Sequence, residues 1–101
     1  ADALGNAARL MPRRARVRYN LALALDRLRR EKAAEAALLQ AFRLDPRDAD
    51  IAYAASAFYV QRKQWKRALP FAERLEEIMP NEPGPRQLVA SIRRQLAARG
   101  R

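Results

Sequence analysis

Residues 13–46 of the chain read RRARVRYNLALALDRLRREKAAEAALLQAFRLDP, and this segment holds most of the information about the fold. Apolar residues recur in both of its halves at the three-to-four spacing of an amphipathic helix, and a charged connector separates the halves. The segment ends at Pro46, and prolines also stand 34 residues before and after it, at Pro12 and Pro80. Because proline cannot extend a helix, these three positions predict helix ends at equivalent points of a repeat.

Residues 47–80 repeat this plan with different side chains. The two segments together are predicted to contain four helices, over about residues 15–28, 32–44, 49–62 and 66–79. Short basic connectors at residues 29–30 and 63–64 make each pair of helices an antiparallel hairpin. A single hairpin leaves its outer face unburied, so we expect neighbouring hairpins to stack.

Both predicted helices of residues 13–46 have one apolar face. In the first helix the face consists of Val17, Leu21, Ala24, Leu25 and Leu28. In the second helix it consists of Ala34, Leu38, Ala41 and Leu44. A stripe at this spacing is typical of a helix that packs against a neighbour, so we expect both faces to be buried.

The two ends of the chain differ from the repeats. Residues 1–12 are predicted to form the second helix of a half repeat, with one apolar face that has no partner in this chain. This arrangement indicates a piece of a longer protein, or a surface for self-association. At the other end, the sequence PGP at residues 83–85 predicts a break, followed by a basic capping helix over about residues 86–98.

Small residues stand at fixed places in this pattern. Ala22 and Ser56 hold the same place in the first helix of each repeat, and Ala34 and Ala68 hold the same place in the second helix. The other positions that fit the pattern are Leu38, Ala41 and Pro46 in the first repeat and Tyr59 in the second. In these residues the chain resembles the tetratricopeptide repeat family, over essentially its whole length.

The resemblance implies an all-α fold, an α-solenoid of stacked antiparallel helix hairpins wound as a right-handed superhelix. The expected parts of this single domain are a half repeat, two repeats and a C-terminal capping helix, at residues 1–12, 13–46, 47–80 and 81–101. The sequence departs from the family pattern at Arg18 and Ala52, where a large residue is usual, and at Leu75, where alanine is usual. The basic connectors also replace the usual Gly-Asp pair.

The composition excludes most catalytic chemistry. The chain has no cysteine and no histidine, which removes thiolate nucleophiles, Cys/His zinc sites and imidazole acid–base catalysis. We interpret the aspartates at positions 45, 48 and 50 as capping the helix that begins near Ala49, and the glutamates at 73, 76 and 77 as a solvated face. We therefore predict that the protein is not an enzyme and has no catalytic residue, cofactor or metal site.

In the tetratricopeptide repeat family the first helices of successive repeats line a concave groove, which implies a place for a partner. The corresponding residues form the predicted partner-binding groove: Arg16, Tyr19, Asn20, Leu23, Arg27, Tyr53, Ala57, Val60 and Gln61. The tyrosines can anchor a ligand and Asn20 can bond its backbone, and the alternative is that both tyrosines only pack between neighbouring repeats. We predict a protein–protein interaction scaffold that binds a peptide or helix of a partner.

Much of the formal net charge of +10 lies outside this groove, in the capping helix and in the expected connectors, which contain Arg13, Arg14, Arg29, Arg30 and Lys63. Of the 21 basic residues 18 are arginine, a bias typical of a GC-rich, bacterial-type genome. A nucleic-acid surface needs a continuous basic stripe with interleaved aromatic residues, so the pattern argues against a nucleic-acid partner. Two alternatives stay open: a basic accessory or targeting module of a larger enzyme or electron carrier, and a binder of an anionic surface such as nucleic acid.

The sequence predicts no membrane span. Its longest apolar run, Ile51–Val60, has ten residues, whereas a membrane helix needs about 20. The first residues have neither the basic start nor the apolar core of a signal peptide. The sequence leaves the compartment open between the cytoplasm, which is slightly favoured, and the periplasm.

Overall fold

The protein is all-helical in its computed structural model, which describes the backbone of residues 2–99 and the side chains of residues 13–99. Five helices follow in order: α1 (Asp2–Arg27), α2 (Glu31–Leu44), α3 (Ala49–Gln61), α4 (Trp65–Ile78) and α5 (Pro83–Arg99). No strand occurs between residues 2 and 99. The all-α prediction is therefore confirmed.

The chain forms two compact units, Ala1–Pro46 and Arg47–Arg101. In the first unit α1 packs against α2, and in the second α4 packs against both α3 and α5. The prolines at 46 and 80 follow the ends of α2 and α4, so the predicted stops at these two positions are confirmed.

The connector between α1 and α2 is a tight turn that reverses the chain. The backbone N–H of Arg30 donates to the carbonyl of Leu25 at 2.9 Å, and the N–H of Arg29 donates to the carbonyl of Asp26 at 3.0 Å. Arg29 has a φ of 60°, which is the left-handed region. This pattern is the Schellman motif, in which a left-handed residue after the helix lets two late carbonyls find donors.

The connector between α3 and α4 repeats this geometry 34 residues later. Here Gln64 donates to the carbonyl of Tyr59 at 2.9 Å and Lys63 donates to that of Val60 at 3.0 Å. Lys63 has a φ of 58°. The predicted breaks at residues 29–30 and 63–64 are confirmed, and the 34-residue spacing recurs in the backbone hydrogen bonds.

The predicted helix end at Pro12 is wrong, because α1 continues from Asp2 to Arg27. An interior proline removes one backbone hydrogen bond, and the alanine- and arginine-rich residues on both sides of Pro12 have high helix propensity. Arg13 and Arg14, expected in a connector, therefore lie inside α1. The apolar side chains expected to form the open face of residues 1–12 lie outside the described side chains.

The predicted break at residues 83–85 is also wrong, because α5 begins at Pro83 itself. The first backbone N–H groups of a helix have no partner within it, so prolines in the first turn cost no hydrogen bond. Pro85, in that first turn, is buried. The last helix thus starts three residues earlier than the expected start at residue 86.

The first unit is packed mainly through alanine. Its buried residues are Ala15, Ala22, Ala34, Ala37, Leu38 and Ala41. Alanine side chains allow two helices to approach closely, so a small contact area can still be well packed. The predicted burial of Ala34, Leu38 and Ala41 on α2 is confirmed, whereas Leu44, on the same predicted face, is half-buried.

The predicted burial of the leucine-rich face of α1 is wrong. Val17 is 65%, Leu21 42% and Leu28 68% exposed, whereas Ala15 and Ala22 on another face of the helix are buried. The helix α1 has two apolar faces, and α2 packs against the one made of alanines. The spacing of the apolar residues alone does not show which of the two faces is buried.

The second unit has larger buried side chains. They include Ile51, Phe58, Leu75, Val89 and Ile92. The ring of Tyr59 contacts Phe58 edge-on at 5.3 Å between centroids and stacks on Phe71 at 5.8 Å. The stacking of Tyr59 on Phe71 joins α3 to α4, while the contact with Phe58 lies within α3.

Of the three aspartates predicted to cap α3, Asp48 does so, whereas Asp50 lies in the first turn of α3 and Asp45 follows the end of α2. The Oδ1 atom of Asp48 accepts hydrogen bonds from the backbone N–H groups of Asp50 at 2.9 Å and Ile51 at 3.2 Å. A cap of this kind satisfies two donors that the helix itself cannot satisfy.

Candidate functional site

The predicted groove residues of the first unit lie on one face of α1. Arg16, Asn20, Leu23 and Arg27 are exposed, and Tyr19 is half-buried. The spacing of three or four residues places them one above the other along the helix. The guanidinium carbon of Arg16 lies 5.5 Å from the centre of the Tyr19 ring, within the range of a cation–π contact. This contact limits the conformations of both side chains and leaves an amphipathic surface.

The predicted groove residues of the second unit lie on one face of α3. Tyr53 is 58% exposed and Gln61 is exposed, while Ala57 and Val60 between them are half-buried. More than half of the Tyr53 side chain is therefore accessible to a partner. Tyr59, on the same helix, is only 3% exposed. Exposure therefore separates a tyrosine that can meet a ligand from one that packs the core.

The chemistry of both faces suits recognition of a protein segment. Tyrosine offers a large rigid apolar surface and a hydroxyl, and it is enriched among the residues that dominate binding energy at interfaces. Asn20 has both donors and an acceptor, so it can pair with an extended backbone.

An apolar patch on α1 was missed as a surface feature by the sequence analysis, which assigned it to the core. Val17 and its neighbours Arg13, Arg14 and Arg18 line an open cleft of about 550 Å³ together with Leu44 of α2. The sequence showed the apolar stripe, but only the packing of α2 reveals which face of α1 stays uncovered.

A second cleft, of about 430 Å³, lies where α4 begins and α5 ends. Its lining residues are Lys63, Gln64, Trp65, Lys66, Arg67, Leu96 and Arg99. The sequence places Lys63 in a basic connector but does not show that this connector lies beside the end of α5. These positions are far apart in the sequence, so only the packing of α5 against α4 reveals the cleft.

Two glutamates of α4 take part in ion pairs. Arg93 of α5 donates to Glu73 of α4 at 3.0 Å, and Arg74 lies 3.5 Å from Glu77. Both pairs are solvent-exposed, so each contributes at most about 1 kcal/mol. Over the described residues, no three acidic side chains come together in a way that could hold a metal ion.

Within the part of the chain that the structure describes, no helix combines the length and the apolar character needed to cross a bilayer. Comparison with known proteins adds no assignment: the sequence matches no protein-family model and no curated protein.

Proposed function

We propose that the chain is a protein-interaction module of the tetratricopeptide type, which binds a peptide or helix of a partner through exposed faces of α1 and α3. In this proposal the two hairpins stack as parts of a right-handed α-solenoid. The 34-residue recurrence of prolines, Schellman turns and buried small residues supports it.

The observation that carries the proposal is the exposure of Tyr53. A helix with Ile51, Ala52 and Ala55 completely buried presents a tyrosine that is 58% exposed on its other side. An exposed large aromatic side chain is typical of an anchor that fills a pocket or a groove on a partner. Tyr19 and Leu23 give α1 a comparable surface.

The polar groups on the two faces indicate what the partner segment carries. Arg16 and Arg27 flank the apolar part of the α1 face, and Asn20 lies between them. A segment with apolar side chains, and with backbone groups or carboxylates free to bond, fits this arrangement.

The test starts from a display library of short random peptides selected against the whole chain. We expect Tyr53→Ala to weaken a selected peptide by roughly tenfold, because truncating an interfacial tyrosine costs more than about 1 kcal/mol. The double variant Tyr19→Ala with Leu23→Ala should weaken it similarly. Isothermal titration calorimetry measures both losses.

The matched control is Leu28→Ala. Leu28 is 68% exposed but follows the last residue of α1 and is not one of the predicted groove residues, so its truncation should change the affinity by less than roughly twofold. Selected peptides that bind all three variants as tightly as the original chain would show that these faces are not the binding surface.

A further inference from the structure

In the cleft between the start of α4 and the end of α5, four basic residues lie around two apolar side chains. Lys63 comes from the connector, Lys66 and Arg67 from the first turn of α4, and Arg99 from the last turn of α5. Among the described residues that line the cleft, none is acidic. The half-buried side chains of Trp65 and Leu96 lie among these cations.

A hydrogen bond from a side chain to the backbone connects the two sides of the cleft. The Nη1 atom of Arg99 lies 3.5 Å from the carbonyl oxygen of Lys63, as donor and acceptor of a long hydrogen bond. This contact joins the end of α5 to the connector before α4. The guanidinium group of Arg99 is thereby held next to the connector and the first turn of α4, so the basic groups form one cluster.

The first turn of α4 has a basic residue where an anion would be favoured. The start of a helix carries a partial positive charge, which repels a cation in the first turn such as Lys66. The residue that caps α4, Gln64, makes no side-chain capping hydrogen bond, and the first turn has no acidic residue. By contrast, Glu31 stands in the first turn of α2.

We propose that this cleft binds an acidic peptide segment that also carries a large apolar side chain. The carboxylates would pair with the lysine and arginine groups, and the apolar side chain would lie against Trp65 and Leu96. A cleft of about 430 Å³ is large enough for a few residues of such a segment. This surface is separate from the face of Tyr53, so the inference does not depend on the proposed function.

Two features favour a peptide over a nucleic acid. Nucleic acids need a basic track that follows the backbone over several nucleotides, whereas α4 carries acidic residues beyond its first turns, at positions 73, 76 and 77. The apolar contribution of Leu96 is also better matched by an aliphatic or aromatic side chain than by a phosphate.

Trp65 makes the test site-specific because it is the one tryptophan of the chain. The probe is a synthetic peptide in which aspartates and glutamates flank a central leucine, titrated into the full chain while tryptophan fluorescence is recorded. We expect saturable binding that weakens as sodium chloride is raised. The peptide with asparagine and glutamine in place of the acids should not bind, and the peptide with serine in place of leucine should bind more weakly.

The variants separate this cleft from the general positive charge. Lys66→Gln with Arg67→Gln should weaken the acidic peptide by roughly fivefold, the loss expected from removing two exposed charge pairs. Arg99→Gln, which leaves α4 unchanged, should weaken it as well. The control Lys32→Gln with Arg43→Gln removes two exposed charges from the other unit and should leave the affinity within roughly twofold.

Circular dichroism is the control that checks whether each variant keeps its helices. The proposal is overturned if the acidic peptide causes no saturable change in Trp65 fluorescence, or if the control variant loses as much affinity as the cleft variants. Equal or tighter binding of oligothymidylate or inorganic phosphate at the same site would also overturn it, because the ligand would then be a phosphate rather than an acidic peptide.

Discussion

At the scale of single residues, burial decides what a polar side chain contributes to stability, and Ser56 is an example. Its side chain is completely buried, and its Oγ atom has no hydrogen-bond partner among the described residues. The sequence pattern explains the small size of the residue at this place, but nothing in the pattern requires a hydroxyl. A buried hydroxyl without a partner costs about 1–3 kcal/mol relative to an apolar group of the same size.

We therefore expect Ser56→Ala to raise the free energy of unfolding by about 1 kcal/mol, since the methyl group fills nearly the same space. Urea unfolding followed by circular dichroism measures the change. Ser91→Ala, at a half-buried position, should change stability by less than about 0.5 kcal/mol. A lower stability of Ser56→Ala would mean that the hydroxyl has a favourable partner, contrary to the structure.

At the scale of single elements, the connectors were predictable because two signals coincided there. The apolar spacing ends and basic residues follow at residues 29–30 and 63–64, and both turns form where expected. Proline was a less reliable signal, since its effect depends on its place in the helix. It follows a helix end at Pro46 and Pro80, whereas α1 continues past Pro12 and α5 begins with Pro83.

The groove faces and the basic cleft differ in how far the sequence predicts them. The groove residues follow from the family resemblance, and in the structure they are exposed or half-buried, with those of each helix on one face. Which of the two apolar faces of α1 is buried depends on the position of α2, which the sequence does not show. The basic cleft could not be predicted, because it forms where α5 packs on α4 and the spacing of residues within each helix does not show that contact.

The left-handed turns give a test at this scale. Arg29 has a φ of 60°, a conformation that costs a residue with a side chain about 1 kcal/mol relative to glycine. Arg29→Gly should therefore raise the free energy of unfolding, by somewhat less than about 1 kcal/mol because glycine also gains entropy in the unfolded chain. Lys63→Gly, with a φ of 58°, should behave in the same way.

The matched control for both turns is Arg27→Gly. Arg27 is the last residue of α1 and is exposed, so glycine there should lower stability by up to about 1 kcal/mol. Thermal and urea unfolding distinguish the signs. A loss of stability in both turn variants would contradict the left-handed geometry.

At the scale of the whole molecule, the net charge of +10 destabilises the folded state. Like charges in a compact chain repel each other, and the unfolded chain relieves this repulsion by separating them. The exposed ion pairs, such as Arg93 with Glu73, offset little of it. Mobile ions screen charges separated by more than about 10 Å at 0.1 M ionic strength, so salt should relieve the repulsion in the folded state.

We expect the midpoint of thermal unfolding to rise by roughly 3–6 °C as sodium chloride is increased from near zero to about 0.2 M, a change of about 1 kcal/mol in a domain of this size. Arg43→Gln, Arg47→Gln and Arg94→Gln together remove three exposed positive charges, from +10 to +7, and should reduce this salt response. Differential scanning calorimetry measures both. The same salt should weaken binding of the acidic peptide to the cleft, so the two electrostatic effects have opposite signs. Salt that destabilised the fold would show that attractive pairs, rather than net repulsion, dominate its electrostatics.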